Sequence, residues 1–267
     1  MEVIIIFGTI ILDAYTNGEI NNMAEYIEEI CSPLDTVGWA SAGIYSFWDH
    51  NTKDILYIGL ASDLYVRFKQ HNGLLPIDDN ACKYQQIKNY FKTHKKLGYT
   101  ILVQSPLSQP IVQRNEKMYR RFLEKPKGMP IGSYVGEEGL EHIRLAEGQL
   151  IEAYRMYNGD IPPWNKIGGD VYARKYATKG NFLQIIQAFS LGDTQNFLVS
   201  RSTIRELAGN PTYEWFEVQL HGLRMMMLTM GFSYQDALDA QLTFNPWFQT
   251  IIDRINEENY MKKELVV

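Results

Sequence analysis

The first hundred residues alternate between short apolar runs and polar connections, a pattern that predicts several short strands and helices. An apolar run at residues 3–12 predicts a buried strand, and turn-forming residues follow it at 16–18. Two runs of β-forming residues, at 43–48 and 55–60, enclose a polar stretch at 49–54. These two runs predict a β-hairpin.

Apolar residues at helical spacing predict helices in much of the remaining chain. Ser62 or Asp63 can cap a predicted helix at 64–71, because short polar side chains accept hydrogen bonds from first-turn amides. A β-forming run at 99–104 predicts a further strand, and the Gly- and Pro-rich residues 125–139 predict a loop. The helices predicted before residue 171 are residues 22–31, 64–71, 82–97, 113–123 and 140–157.

From about residue 171 the chain becomes mostly helical and nearly neutral in charge. We therefore predict a helical C-terminal region at 171–267 after a boundary near Gly168, although this region can also pack against the preceding part and share its core. Apolar residues between positions 215 and 227 lie at helical spacing. They indicate either plain helical core or a dimerisation element, and DNA recognition is the third role open to the C-terminal region.

The 267-residue chain is 45% hydrophobic and 21% charged, which is typical of a globular protein with a sizeable core. Its two cysteines, Cys31 and Cys82, are too few for a disulfide framework or a cysteine-rich zinc site. The apolar run at 3–12 is too short to cross a bilayer. These features predict an intracellular, cytoplasmic protein with no membrane partner.

Charge is distributed unevenly along the chain, although the formal net charge is only −5. Residues 1–39 form an acidic N-terminal extension without Lys or Arg. Residues 83–127 are rich in Lys and Arg, which is typical either of a solvated helical surface or of a phosphate-binding one. The candidate DNA-binding residues are Lys83, Lys88, Lys92, Lys95, Lys96, Arg114, Lys117, Arg120 and Arg121.

Arg67 and His71 lie four residues apart on the predicted helix at 64–71 and therefore share a face. An Arg guanidinium matches the geometry of a phosphate, and a His imidazole can carry a proton near neutral pH. The same pair is also compatible with the solvated surface of an amphipathic helix.

Glu147 occupies an unusual position on the predicted helix at 140–157. It lies four residues after Ile143 and four before Ile151, in the middle of the apolar stripe. A carboxylate buried there must be paired, protonated or bound to a metal. A structural ion pair and a Mg²⁺ site, which often uses one or two carboxylates, are both consistent with this position.

The order and spacing of these residues resemble the GIY-YIG nuclease superfamily. Both tripeptides of that family occur letter for letter in the predicted hairpin, and the expected polar residues follow in order within residues 40–170. The residues that carry the resemblance are Gly43, Ile44, Tyr45, Tyr57, Ile58, Gly59, Arg67, His71, Glu147 and Asn165. The resemblance says nothing about residues 1–39 or 171–267.

The resemblance implies an α+β fold with a small central antiparallel β-sheet of about three strands flanked by helices. It also implies a metal-dependent DNA endonuclease that hydrolyses phosphodiester bonds with one Mg²⁺ or Mn²⁺ per active site. Glu147 would hold the metal, and Arg67 would bind the scissile phosphate. Tyr45, with Tyr57 beside it, would act on the attacking water.

The remaining catalytic assignments that the resemblance implies concern His71 and Asn165. His71 would either relay a proton or hydrogen-bond a tyrosine hydroxyl, and Asn165 would fix the site through hydrogen bonds to backbone or water. Members of the family use either Tyr or His as the base, so Tyr45, Tyr57 and His71 all stay candidates.

The stretch between His71 and Glu147 is longer than a minimal domain of this family needs, so we predict a nuclease core at 40–170 with a basic insertion at about 75–139. The five lysines between residues 83 and 96 are predicted to lie on one helix that contacts the DNA backbone. We expect a restriction-type or phage-defence enzyme that acts on double-stranded DNA, and a homodimer is compatible with this. A repair or structure-specific nuclease, or a non-catalytic DNA-binding module on the same scaffold, is the alternative.

Overall fold

The computed structural model describes residues 7–31, 41–76, 82–105, 137–177 and 181–267. The fold is α+β, as predicted: a four-stranded antiparallel sheet is flanked by helices and followed by a helical C-terminal region. The strands are β1 (Phe7–Thr16), β2 (Gly43–Asp49), β3 (Ile55–Ala61) and β4 (Lys96–Gln104). The helices are α1 (Ile20–Cys31), α2 (Leu64–His71), α3 (Tyr84–Tyr90), α4 (Glu137–Asn158), α5 (Val171–Arg174), α6 (Asn181–Gln187), α7 (Ile204–Gly209), α8 (Pro211–Met230), α9 (Tyr234–Phe244) and α10 (Phe248–Glu257). None of the helices in these ranges is long and apolar enough to cross a membrane.

The strand order is β1-β4-β2-β3, so β4 is a central strand although it lies within the predicted insertion. Tyr99 of β4 pairs with Asp13 of β1 on one side and with Phe47 of β2 on the other. β1 in turn comes from the predicted acidic extension. The sheet therefore has four strands rather than about three, because segments on both sides of the hairpin complete it.

The predicted basic helix at 82–97 is wrong in its second half. α3 ends at Tyr90, a turn follows, and Lys96 already pairs with Thr16 at the start of β4. Gly98 allows this strand to approach β2, because a Cβ at that position would lie 2.0 Å from the Trp48 indole. Pairing with two distant strands overrides the local helical pattern, so the five lysines between residues 83 and 96 do not lie on one helix.

The predicted hairpin and the helix that follows it are confirmed. β2 and β3 pair in a register that sets Tyr45 opposite Gly59. Asp63 caps α2, because its carboxylate accepts the Val66 amide at 3.0 Å. The tight turn and the capped helix fix the direction in which α2 leaves the sheet.

Other predicted boundaries shift by a few residues. β1 extends to Thr16, and residues 3–6 of the predicted strand lie outside the described residues. α4 begins at Glu137, inside the predicted loop at 125–139. The predicted helix at 113–123 and the rest of that loop lie outside the described residues.

Helices cover both faces of the sheet, because successive strand side chains alternate between two apolar cores. On one face, Ile44 and Leu102 belong to the same core as residues of α4 and α6. On the other face, Tyr45, Tyr57 and Ile101 share a core with residues of α1, α2 and α7. The two tyrosines of the hairpin therefore lie on the α2 side of the sheet.

The C-terminal region extends the sheet and shares its core. Ile10 donates its amide to the Leu198 carbonyl at 2.9 Å, and the Ser200 amide donates to the Ile10 carbonyl at 2.7 Å. α8 packs against β1, and Val199 and Leu228 belong to the core that includes Ile44. The possibility of a shared core, which the sequence left open, is the one observed.

Buried polar side chains occupy the junction between β1 and α8. Arg224 donates to the Glu217 carboxylate and, at 3.1 Å, to the Thr9 hydroxyl. The Tyr260 hydroxyl donates to Glu217 at 2.7 Å, and His221 Nδ1 accepts the Thr9 amide at 3.3 Å. We call these five residues the sealed cluster, because each is at most 6% exposed.

Candidate active site

The two motif tyrosines project from neighbouring strands. Tyr45 lies on β2 and Tyr57 on β3, with their ring centroids 5.8 Å apart. A Cβ on Gly59 would lie 2.7 Å from the Tyr45 hydroxyl oxygen and 2.8 Å from the Tyr57 hydroxyl oxygen. The glycine of the second tripeptide therefore has a steric role, since any side chain there would displace both hydroxyls.

Helix α2 brings Arg67 and His71 to Tyr45, as their four-residue spacing predicted. His71 Nε2 lies 2.6 Å from the Tyr45 hydroxyl oxygen, and Arg67 Nε donates to the same oxygen at 3.2 Å. His71 is fully buried, whereas Arg67 is half-buried. The Tyr45 hydroxyl oxygen therefore contacts two side chains of α2.

The hydrogen bonds of His71 define its tautomer. Its Nδ1 accepts the backbone N–H of Lys83 at 2.9 Å, so the proton of the neutral ring lies on Nε2 and is donated to Tyr45. Burial, followed by the charges of Arg67 and Lys83, holds the pKa of His71 well below its usual value. The ring is therefore neutral, both of its nitrogens are engaged, and the Tyr45 oxygen accepts two hydrogen bonds.

Burial keeps both phenols protonated at neutral pH. It raises the pKa of Tyr45 well above the usual value; ionisation of Tyr57 would act in the same direction, and Arg67 opposes it. Burial also raises the pKa of Tyr57, where the charge of Glu147 adds to the effect and Arg67 again opposes it. Arg67 thus favours the ionised form of both tyrosines.

Glu147 lies on α4 between Ile143 and Ile151, both of which are buried, but its own side chain is partly exposed. Burial raises the pKa of this carboxyl to about 7, and the positive charge of Arg67 only partly offsets the effect. Glu147 takes part in none of the ion pairs among the described residues. Among the described residues, Glu147 therefore does not form the structural ion pair that was one of the two possibilities for it.

Two open pockets meet at Tyr57 and Glu147. The first, about 370 Å³ in volume, is lined by Arg67 and Gln70 of α2; we call it the arginine pocket. The second, about 310 Å³, is lined by Lys83 and Lys166; we call it the lysine pocket. Because both pockets share Tyr57 and Glu147, together they form one cleft with cationic side chains on both sides.

Asn165 fastens a loop to the edge of the sheet. Its Nδ2 donates to the Ile58 carbonyl at 2.8 Å, and its Oδ1 accepts the Ile58 amide at 3.0 Å. The Trp164 amide donates to the Leu56 carbonyl at 2.8 Å. Since β3 is an edge strand, these bonds satisfy its outer backbone groups and hold the loop beside Tyr57.

The six predicted catalytic residues lie around this cleft, while the predicted DNA-binding residues are more dispersed. Lys83 lines the lysine pocket, with its Nζ 4.7 Å from the centroid of the Tyr57 ring. The side chains of Lys88, Lys92 and Lys95 are exposed, and that of Lys96 is half-buried. Arg114, Lys117, Arg120 and Arg121 lie outside the described residues.

Sequence reasoning missed Lys166, which lines the cleft directly after Asn165. A single lysine in a Pro- and Gly-rich loop carries no periodic pattern, so the only signal was its position next to a motif residue. Gln70, which accepts a hydrogen bond from Arg67 Nη1 at 3.3 Å, was missed as well.

The cleft offers few ligands for a metal ion. Within the described ranges, no three or more His, Cys, Asp or Glu side chains are grouped so that they could hold one. Asp63 also lines the arginine pocket, but its carboxylate caps α2. Glu147 therefore supplies the carboxylate, a donor set that suits an ion that keeps several waters and binds substrate phosphate, as Mg²⁺ does.

Comparisons of the chain with protein-family models, curated proteins and solved structures give no match. Function must therefore be inferred from the side chains of the cleft. The side chains in and around the cleft come from β2, β3, α2, α4, the residue before α3 and the loop at 162–169, segments that are far apart in sequence.

Proposed function

We propose that the protein is a metal-dependent endonuclease that hydrolyses phosphodiester bonds of DNA in the cleft between the arginine and lysine pockets. The observation that carries this proposal is the convergence of Tyr45, Tyr57, Arg67, His71 and Glu147, with Asn165 holding the adjacent loop. An accidental match of the hairpin would not require these distant residues to meet.

Arg67 is the group that binds the scissile phosphate in this proposal. Its guanidinium lines the arginine pocket and is oriented by Tyr45 and Gln70. A half-buried guanidinium stabilises the negative charge that develops on the phosphate in the transition state, and such groups contribute about 3–4 kcal/mol in other enzymes.

Tyr57 is the tyrosine that meets the substrate and its attacking water. It lines both pockets, whereas Tyr45 is fully buried and lines neither of these two pockets. Because the Tyr45 oxygen accepts hydrogen bonds from His71 and Arg67, its own hydroxyl can donate to Tyr57, an interaction that lowers the Tyr57 pKa. In this proposal Tyr45 and His71 position Tyr57 and Arg67, and His71 does not itself take the proton from water.

Glu147 would hold one Mg²⁺ or Mn²⁺ ion. When bound, such an ion supplies Lewis-acid stabilisation of the phosphate and lowers the pKa of a bound water. The carboxyl, whose pKa is about 7 without the ion, must lose its proton to coordinate it. The single available carboxylate suits a site that substrate phosphate and water complete.

Double-stranded DNA is the substrate that we favour, with a restriction-type or phage-defence role. Lys88, Lys92 and Lys95 follow Lys83 in sequence and are exposed, which suits contacts with a DNA backbone beyond the cleft. Two copies of the chain would suit a symmetric duplex site.

The test is incubation of the pure protein with Mg²⁺ and, separately, plasmid DNA, single-stranded DNA and RNA, with a parallel series in EDTA. We expect Mg²⁺-dependent cleavage of the plasmid, with discrete fragments if the enzyme reads a sequence. Tight binding of DNA without cleavage under every metal condition would contradict the proposal and favour a non-catalytic DNA-binding module.

A further inference from the structure

The lysine pocket contains positive charge that the catalytic assignments above do not use. Lys83 is only 5% exposed, and its backbone amide is fixed by His71. Its Nζ lies over the Tyr57 ring rather than in open solvent. A lysine held in this position faces the same substrate-binding space as Tyr57.

Lys166 lines the same pocket from a different segment, the loop at 162–169. The bonds of Asn165 to Ile58 and of Trp164 to Leu56 fix the loop that carries it. Its side chain is exposed, so an incoming ligand can reach it. Two lysines from unrelated segments are thus held at one pocket by backbone anchors.

The two lysines are not neutralised by acidic neighbours within the described part of the chain. Neither takes part in the ion pairs of the described residues, and Glu147 is the one carboxylate among the described residues that line the pocket. Burial, followed by the charges of Lys166 and Arg67, lowers the pKa of Lys83. The positive charges repel one another, so a bound anion would stabilise the pocket.

We propose that the lysine pocket binds the phosphate group next to the scissile one, so that the substrate strand crosses the cleft from Arg67 over Tyr57 and Glu147 to Lys83 and Lys166. This inference rests on the proposed nuclease function. It defines the substrate as a chain with at least two successive phosphates, because one phosphodiester fills only the arginine pocket.

The first test measures the salt dependence of DNA binding in EDTA, where cleavage does not interfere. We expect Lys166→Gln to lower the slope of log K against log[salt] by about 0.9 for duplex DNA, the value for one lost phosphate contact. Lys262→Gln, which removes an exposed lysine of the C-terminal segment, is the matched control and should leave the slope unchanged. Equal slopes for the two variants would overturn the phosphate assignment.

The second test asks whether the pocket reads a second phosphate beside the first. Thymidine 3′,5′-bisphosphate and thymidine 5′-monophosphate are compared as competitors for DNA binding, and we expect the bisphosphate to compete about tenfold better with the wild-type protein. Lys83→Gln and Lys166→Gln should each reduce that advantage, whereas Lys262→Gln should keep it. Equal competition by both nucleotides would overturn the inference.

The failure of this inference and the failure of the proposed function have different signatures. If the wild-type protein cleaves DNA but its salt slope and its preference for the bisphosphate survive both lysine substitutions, the lysine pocket is not a phosphate site although the nuclease is real. If the wild-type protein neither binds nor cleaves nucleic acid, both proposals fail together.

Discussion

Two groups of side chains in this protein are built from the same residue types, yet their surroundings differ. The sealed cluster at the β1–α8 junction and the proposed catalytic residues of the cleft each contain Glu, Arg, Tyr and His. In the sealed cluster, Arg224 pairs directly with Glu217, and its members are nearly unexposed. In the cleft, Glu147 is partly exposed and lines two pockets.

The pKa values of Glu217 and Glu147 differ because their surroundings differ. Burial tends to raise the pKa of Glu217, but Arg224 and the other donors outweigh it and hold that pKa below the usual value. At Glu147 burial dominates and the pKa rises to about 7, because the charge of Arg67 and a hydrogen bond from the Leu60 backbone amide offset it only in part. A carboxylate whose partners outweigh its burial stabilises the fold, whereas a carboxyl whose burial stays uncompensated at an open pocket is available to a ligand.

The largest expected effect is on the free energy of unfolding and concerns the sealed cluster, which we expect to have a structural role. Glu217→Gln should lower the free energy of unfolding by about 3–5 kcal/mol, because it leaves the buried Arg224 charge uncompensated. Chemical denaturation at pH 7.5 measures this. Glu141→Gln, an exposed position on α4, is the matched control; equal stabilities for the two variants would contradict a structural role for the ion pair.

The next effect belongs to the cleft and concerns catalysis. Arg67→Ala should slow DNA cleavage about 10²- to 10³-fold, since it removes a charge that stabilises the phosphate in the transition state. Arg155→Ala is a suitable comparison, because Arg155 is exposed and pairs with Glu152 at the surface. Single-turnover cleavage rates decide the matter, and the same rate for both variants would remove Arg67 from the phosphate site.

A smaller effect concerns the pH dependence of stability through His221. Burial holds its pKa at about 3 in the folded protein, below the usual 6.5, so the unfolded chain binds the proton first as the pH falls. Its stabilising contribution is complete above pH 6.5 and is lost progressively between 6.5 and 3. At pH 5.5 the loss should be about 1.4 kcal/mol relative to pH 7.5.

His221→Gln should remove this part of the pH dependence. Thr9, Arg224 and Glu217 face His221, and only Glu217 titrates at lower pH, so it contributes little above pH 5. Unfolding free energies of both proteins at pH 7.5 and 5.5 give the comparison. An equally steep loss of stability in the variant would assign the acid sensitivity to other groups.

The sequence predicts those parts of the site that depend on local signals. The polar turn at 49–54 and the Asp63 cap suffice to predict the hairpin and α2 with nearly correct ends. The four-residue spacing of Arg67 and His71 likewise places both side chains on the same helical face. These features need no knowledge of the rest of the chain.

The parts that the sequence does not predict depend on distant pairing. Residues 96 and 97 belong to the predicted helix, but in the structure β4 pairs with β1 and β2, which lie far away in sequence. Asn165 reads as a turn residue, yet it bonds the backbone of Ile58, 107 positions earlier. The contact between Asn165 and Ile58 positions the loop that carries Lys166, so the place of Lys166 in the cleft cannot be predicted from local sequence.

The most direct test of the central claim compares Glu147→Gln with Glu141→Gln, two neutralised carboxylates on the same helix. We predict that Mg²⁺-dependent DNA cleavage is lost only in Glu147→Gln, while both variants are at least as stable as the wild-type protein, because the raised pKa of Glu147 means that its ionised form costs stability at neutral pH. Cleavage by Glu147→Gln at the rate of Glu141→Gln would contradict the assignment of the cleft as a metal-dependent active site.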